Sequence, residues 1–182
     1  KRGVQMGIYL NPDNIDFKIA VNSEIYVDKS MMIKCINQVL CTEQRYICVS
    51  RPRRFGKSMA LNMLTAYYSK GCDSHELFSG LKISSETTYK EHLNKYNVIR
   101  LNMTDFMSRG NSIEEMLDYI SRRLLHELKK SFGDVDCFDW SDLISVLEEV
   151  FAEKSIPFVF VIDEWDCIFR MHKHDFKAQT VY

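Results

Sequence analysis

The stretch Tyr46-Ile47-Cys48-Val49-Ser50-Arg51-Pro52-Arg53-Arg54-Phe55-Gly56-Lys57-Ser58-Met59-Ala60-Leu61-Asn62-Met63-Leu64 decides the fold. Its apolar start reads as a strand at about 46–50 and its end as a helix, with a short loop closing in Gly-Lys-Ser between them. Strand, loop, Gly-Lys-Ser, helix is the layout of a phosphate-binding loop. Backbone N–H groups at a helix N-terminus favour an anion, and Lys57 adds a point charge. The Ser58 hydroxyl would face a nucleotide-bound Mg²⁺. The usual pattern is G-x-x-x-x-G-K-[ST], and Arg51 stands at its first glycine. Pro52 fixes φ and would hold the loop shape without that glycine.

A second element lies downstream. Phe158-Val159-Phe160-Val161-Ile162 is a continuous apolar run, too short for a membrane span and of the length of a buried parallel strand. It ends in Asp163-Glu164, at the carboxyl end of the strand, where α/β sheets bind ligands. In a P-loop enzyme the first carboxylate holds Mg²⁺, and the adjacent Glu164 would polarise the attacking water. Read alone, the pair is more often a solvated acidic turn. The upstream Gly-Lys-Ser loop favours the nucleotide reading.

Composition bounds the class. The chain has 182 residues, 46 % hydrophobic and 27 % charged, enough for one globular domain with a sizeable core. A formal net charge of −1 gives no bulk attraction to nucleic acid or to a membrane surface. No run approaches the ~20 apolar residues of a membrane helix, so no membrane partner is expected. The N-terminus is polar and charged, without a signal-peptide pattern. The six cysteines include no C-x-x-C pair and read as free thiols of a reducing cytoplasm, with Cys48 inside a buried strand. His172 and His174 have no third ligand spaced to join them.

Along the chain, residues 1–25 show little periodicity and Asn11-Pro12-Asp13-Asn14 reads as a turn. Met32, Cys35, Ile36, Val39 and Leu40 share one face of a helix. The helix at about 57–69 buries Ala60, Met63, Leu64 and Tyr67, and Gly71 reads as its C-cap signal. Asn97-Val98-Ile99-Arg100-Leu101-Asn102-Met103 alternates as a strand with one buried face. Ser112-Ile113-Glu114-Glu115 has capping-box form and opens a helix striped with Ile113, Met116, Leu117, Ile120, Leu124 and Leu128. A further helix at about 141–153 carries Leu143, Val146, Leu147, Val150 and Phe151. Strands alternating with helices predict an α/β fold with a parallel sheet and right-handed crossovers. The domain reading is an N-terminal extension at 1–25 and one α/β domain at 26–182.

Several segments together resemble the predicted AAA-ATPase-like family. They are Tyr26-Val27-Asp28-Lys29-Ser30, then Arg51-Pro52-Arg53-Arg54-Phe55-Gly56-Lys57-Ser58, then Leu77-Phe78-Ser79-Gly80-Leu81-Lys82-Ile83, then Val161-Ile162-Asp163-Glu164-Trp165-Asp166. The resemblance covers roughly residue 17 onward and makes Arg51 a family trait. It implies a three-layer P-loop NTPase core with a parallel sheet, of the additional-strand (ASCE, AAA-like) class. In that class a strand following the Asp-Glu strand lies in space between the two motif strands. The expectation is then a P-loop domain incomplete at its C-terminus, with the slot beside the phosphate-loop strand empty or otherwise filled. The alternative is a kinase- or GTPase-like order with the motif strands adjacent. By the match, Gly56, Lys57 and Ser58 take the phosphate and Mg²⁺ roles, Asp163 the metal role and Glu164 the catalytic one. ATP is implied as the nucleotide. Family members often continue into a nuclease-like PD-(D/E)XK domain, and the expected sensor and arginine-finger elements are absent from the residues after Glu164.

The candidate nucleotide site is thus Arg53, Arg54, Phe55, Gly56, Lys57, Ser58 and Met59. Ser58 and Asp163 are the metal ligands, and Glu164 and Lys57 the catalytic groups. Arg51, Arg53 and Arg54 either fork onto phosphate oxygens, or onto Asp163 or Glu164 when the site is empty, or form a solvated basic lip. Phe55 reads as a packing residue. Tyr26 and Lys29 either approach the base or serve as a tether and a surface charge. Arg122, Arg123, Lys129 and Lys130 share their helix with Glu114, Glu115, Asp118 and Glu127, which reads as a solvated face rather than a nucleic-acid surface. Asp166 is either a partner of the acidic pair or a turn residue. Three functions remain open: an Mg²⁺-dependent ATPase, aided by an arginine of another subunit in a homo-oligomer; a nucleotide-gated switch or degenerate scaffold serving an attached nuclease-like effector; or, as the resemblance alone implies, a nucleic-acid-processing protein whose ATPase domain serves a nuclease.

Overall fold

The computed structural model describes residues 6–50, 55–110, 112–171 and 180. In chain order its elements are α1 (Ile15–Val21), α2 (Met31–Val39), α3 (Lys57–Tyr68), α4 (His75–Ser79), α5 (Tyr89–His92), β1 (Asn97–Asn102), α6 (Ile113–Phe132), α7 (Leu143–Lys154), β2 (Phe158–Asp163) and α8 (Cys167–Met171), with short 3-10 turns at Lys82–Ser85 and Met103–Phe106. β1 and β2 pair in parallel, in register from Asn97 opposite Phe158 to Asn102 opposite Asp163. A parallel pair needs a crossover between its strands, and α6 and α7 supply it.

Strand alternation distributes the core. Ile99 and Leu101 pack with Met116, Ile120, Leu124 and Leu128 of α6 and with Val146 and Val150 of α7. Val98 and Val161 point the other way, into a cluster built from Phe17 of α1, Ile33 and Ile36 of α2, and Met63, Leu64 and Tyr67 of α3. Helices therefore cover both faces of the strand pair, a mixed α/β arrangement as expected. Segment 97–103 has both faces buried rather than the expected one, because helices meet it from both sides.

α6 starts where the capping box predicts, with Ser112 Oγ accepting from Glu115 N at 3.2 Å. Its apolar stripe is the one read from the sequence. Glu127 is not on the solvated face: it is 7 % exposed. Its carboxylate accepts from the backbone N–H of Ile8, Tyr9 and Leu10 at 3.2, 3.0 and 2.8 Å. An acid at a stripe position survives burial because three amide dipoles face it. The clamped segment then runs beside β1: Asn11 N donates to Val98 O at 2.7 Å and Arg100 N to Tyr9 O at 2.8 Å. Leu10 is fully buried in the α6–α7 cluster, so residues well before Tyr26 complete the core.

The expected strand at 46–50 is not formed. Residues 45–50 lack sheet pairing; Tyr46 is 83 % exposed, and Cys48, expected inside a strand, is exposed as well. β2 is a parallel strand as expected, but it is not buried throughout: Phe160 is 52 % and Ile162 42 % exposed. Strand formation depends on a neighbour more than on local preference, and among the described residues nothing pairs with the edge of β2 away from β1. Gly71 is not the cap of α3, which ends at Tyr68 with Ser69 as its C-cap; a Cβ at Gly71 would meet Asn11 O at 2.5 Å.

Candidate functional site

α3 begins at the Gly-Lys-Ser loop. Gly56 is its N-cap residue, with φ 74° and ψ 33°. That left-handed conformation suits glycine and strains residues carrying a Cβ. The first intrahelical bond runs from Ala60 N to Gly56 O at 3.1 Å. The N–H groups of Lys57, Ser58 and Met59 precede it and have no helical carbonyl to reach, which leaves a positive terminus at the loop. The loop is braced from α2's side: Lys29 Nζ donates to Phe55 O at 2.7 Å.

The acidic pair sits across a cavity from this terminus. Along β2, odd-numbered residues face α3, so Asp163 follows Val161 toward that helix. Asp163 is 8 % exposed and accepts from Ser58 Oγ through Oδ2 at 2.9 Å. Its other oxygen accepts from Glu164 N at 3.0 Å. Glu164 adopts φ 53°, the left-handed region that a carboxylate residue occupies only when its surroundings hold it there. Its carboxylate accepts from the Arg170 guanidinium of α8, and Arg170 Nε lies 3.5 Å from Asp166 Oδ2. The Glu164 partnership, the largest influence, raises the Arg170 pKa above its already high value. Asp166 is thus a partner of Arg170.

These groups line a cavity of about 640 Å³ between the first turn of α3 and the carboxyl ends of both strands, with Asn102 on its wall. A second cavity of about 890 Å³ shares Gly56 and Lys57 with it and is walled by Met32, Ile36, Val39, Ile47 and Val49. Both volumes fall in the range of small-molecule sites. The helix face read as apolar in α2 is divided: Ile33 and Ile36 enter the core, whereas Met32 and Val39 open onto this second cavity and Cys35 is exposed.

Two sequence motifs prove to be one bracket. Asp28 accepts from Ser30 N at 2.8 Å and from Lys82 N at 2.9 Å, and Ser30 Oγ accepts from Ile83 N at 3.1 Å. Partial burial alone would raise the Asp28 carboxyl, but the N–H groups of Lys82 and Ser30 and the Ser30 hydroxyl outweigh it and hold its pKa below the ordinary 3.8. Tyr26 is a tether: it lies edge-on to Phe17, ring centroids 6.3 Å apart. Burial, and then the Asp28 charge, push its phenol up to about 12. The bracket sets Lys29 against the loop.

Of the candidate site residues, Gly56, Lys57, Ser58, Met59, Asp163 and Glu164 meet at the smaller cavity. Phe55 borders the larger one and is 62 % exposed rather than packed, its carbonyl being the part that is held. Arg51, Pro52, Arg53 and Arg54, with His172 and His174, lie outside the described residues. Arg170 was missed, although Asp166 and Arg170 stand at helical i, i+4 spacing directly after the acidic pair. Asn102 was missed too, since only strand pairing brings it beside Asp163.

A family model described as Predicted AAA-ATPase matches residues 16–180, and no curated protein and no solved structure matches the chain. That span runs from within α1 through the Gly-Lys-Ser loop, the Asp28 bracket and the acidic pair to beyond α8, and on it the chain belongs to the predicted AAA-ATPase family.

Proposed function

We propose that the chain is a nucleotide-binding P-loop domain of the additional-strand class that takes ATP with Mg²⁺ and hydrolyses it. One observation carries the reading: the Ser58–Asp163 hydrogen bond, 2.9 Å long, joins residues 105 apart in sequence at one cavity. The additional-strand class rests on the family resemblance, since β2 has β1 on one edge and among the described residues nothing pairs with the other. Ser58 and Asp163 are hard oxygen donors already within hydrogen-bonding distance, which fits Mg²⁺ held jointly by protein and phosphate oxygens; no group of three His, Cys, Asp or Glu forms a protein-only cage among the described residues. Mg²⁺, when bound there, would neutralise phosphate charge.

The chain's own residues do the rest. The N–H groups of the first turn of α3 and the Lys57 ammonium receive the β- and γ-phosphates. Lys57 balances charge as the bond from the γ-phosphorus to the bridging oxygen breaks and ADP leaves with the electron pair. Glu164 orients the attacking water and takes its proton as the new phosphorus–oxygen bond forms. The apolar cavity beyond Gly56 is open to the base.

The test is calorimetry of ATP with Mg²⁺ beside a phosphate-release assay. Micromolar binding, lost in Lys57→Ala, is expected, with Glu164→Gln retaining binding and losing turnover by about 10²-fold or more. Unchanged binding in Lys57→Ala would sink the reading. A second reading, a nucleotide-gated switch with little hydrolysis, rests on the Glu164–Arg170 pair, which occupies the general base. Binding with no phosphate release above the Glu164→Gln level would select it. An attached nuclease-like effector and a homo-oligomer remain extensions of either reading.

A further inference from the structure

We propose that Lys29 is a positioning residue for the phosphate loop: it holds the Phe55 carbonyl and so aims the N–H of Gly56 at the phosphates of a bound nucleotide. The inference rests on the nucleotide reading above and names a residue outside both motifs. Lys29 Nζ donates to Phe55 O at 2.7 Å, across 26 residues of sequence. The same ammonium lies 2.8 Å from the point where a Cβ on Gly56 would stand, against the one loop residue whose φ of 74° is left-handed. Lys29 borders the larger cavity with Phe55, Gly56 and Lys57. Gly56 and Lys57 also border the smaller one, with Ser58 and Asp163. The brace therefore reaches the loop from the larger cavity, and the acidic pair lies on the smaller.

Peptide planarity turns this contact into an orientation. Among the described residues every peptide bond is trans, so the Phe55 carbonyl and the Gly56 N–H lie in one plane and point in opposite directions. A carbonyl pinned toward Lys29 leaves that N–H pointing away from it. A hydrogen bond from an ammonium is charge-assisted, roughly twice as strong as a neutral one, and it polarises the peptide and strengthens its N–H as a donor. A donor fixed by the fold loses little freedom when an anion binds, so its contribution appears as affinity. Lys29 is free for this task because the neighbouring carboxylate is engaged elsewhere. Asp28 accepts from Ser30 N and Lys82 N, and Ser30 Oγ accepts from Ile83 N, which fixes the backbone on both sides of Lys29. The bracket thus acts on the loop through one side chain. ATP and ADP both present a β-phosphate to the first turn of α3, so the brace serves them alike.

The experiment is calorimetry of ATP and of ADP, each with Mg²⁺, on the full chain and on Lys29→Met, Lys29→Arg, Asp28→Asn and the Asp28→Asn, Lys29→Met double variant. Phosphate release at saturating ATP, thermal melts and the carbonyl-carbon NMR resonance of Phe55 accompany it. Lys29→Met keeps the apolar stem and removes the donor and the charge. It is expected to weaken ATP and ADP by the same factor, roughly ten- to a hundredfold. Turnover at saturation should hold, and the Phe55 carbonyl resonance should move upfield as its hydrogen bond is lost. Lys29→Arg, which keeps a charged donor, should restore most of the affinity. Asp28→Asn should weaken binding less, and that loss should vanish in the double variant. A purely structural lysine would lower Tm without separating affinity from turnover. Unchanged affinity in folded Lys29→Met, or an Asp28→Asn loss that adds in full to that of Lys29→Met, overturns the inference and leaves the P-loop reading standing. No binding by the unaltered chain, or binding that ignores Lys57→Ala, overturns both.

Discussion

Gly56 carries more of the loop than its size suggests. Its φ of 74° is open to glycine, and an added Cβ would lie 2.8 Å from Lys29 Nζ, the group that holds Phe55 O. Gly56→Ala therefore strains the backbone and displaces the brace together. We expect a loss of about 1–2 kcal/mol in urea unfolding, with nucleotide affinity falling further than stability. Asp28 is the second such residue. Its folded pKa lies below the unfolded 3.8, so its contribution is complete above that value and lost as pH falls through the lower folded pKa. Asp28→Asn should flatten the decline of Tm below about pH 4 and lower Tm at neutral pH, where one N–H of Lys82 or Ser30 loses its acceptor at a cost of about 1–3 kcal/mol. A Tm profile parallel to that of the unaltered chain would refute the bracket.

At the scale of elements, α6 shows how one residue can decide a packing. Its stripe was legible because apolar residues recur at helical spacing, and its start because Ser112 and Glu115 stand three apart. Glu127 broke the reading. Periodicity places it beside Leu124 and Leu128, on the buried side, but nothing local names the amides of residues 8–10 as its partners. Glu127→Ala should free that segment from β1 and cost about 3 kcal/mol, with faster amide exchange at Tyr9 and Leu10. Protection unchanged at those two amides would show that the segment holds by its β1 contacts alone. The same dependence on distant partners explains segment 46–50. Its residues favour a strand, and a strand needs an edge to join.

At the scale of the molecule, the candidate site is a seam. α3 belongs to the core on one face of the strand pair and α8 to the core on the other, and the cavity lies between the first turn of α3, the strand ends and α8. A ligand bridging that seam binds the folded chain alone, so ATP with Mg²⁺ at 100 times its Kd should add about 2.7 kcal/mol to stability. Differential scanning calorimetry reads this as a rise in Tm. Chelating Mg²⁺ should remove most of it, as should Lys57→Ala. A rise that survives Lys57→Ala would mean that the nucleotide binds elsewhere. Among the described residues no helix is long and apolar enough to cross a membrane.

What the sequence determined by itself is local. The helices of α3, α6 and α7, the two strands, the Gly-Lys-Ser loop and the acidic pair at a strand end all follow from spacing and residue type within a few turns of chain. Tertiary structure decided what long-range partners decide. Parity along β2 aimed Asp163 at Ser58, strand pairing brought Asn102 to the cavity, and α8 folded back to set Arg170 on Glu164. Among the described residues nothing pairs with β2's outer edge, and 46–50 joins no sheet. Local preference is worth tenths of a kcal/mol per residue, whereas an anion buried beside its donors is worth several, so the second kind of choice belongs to the fold.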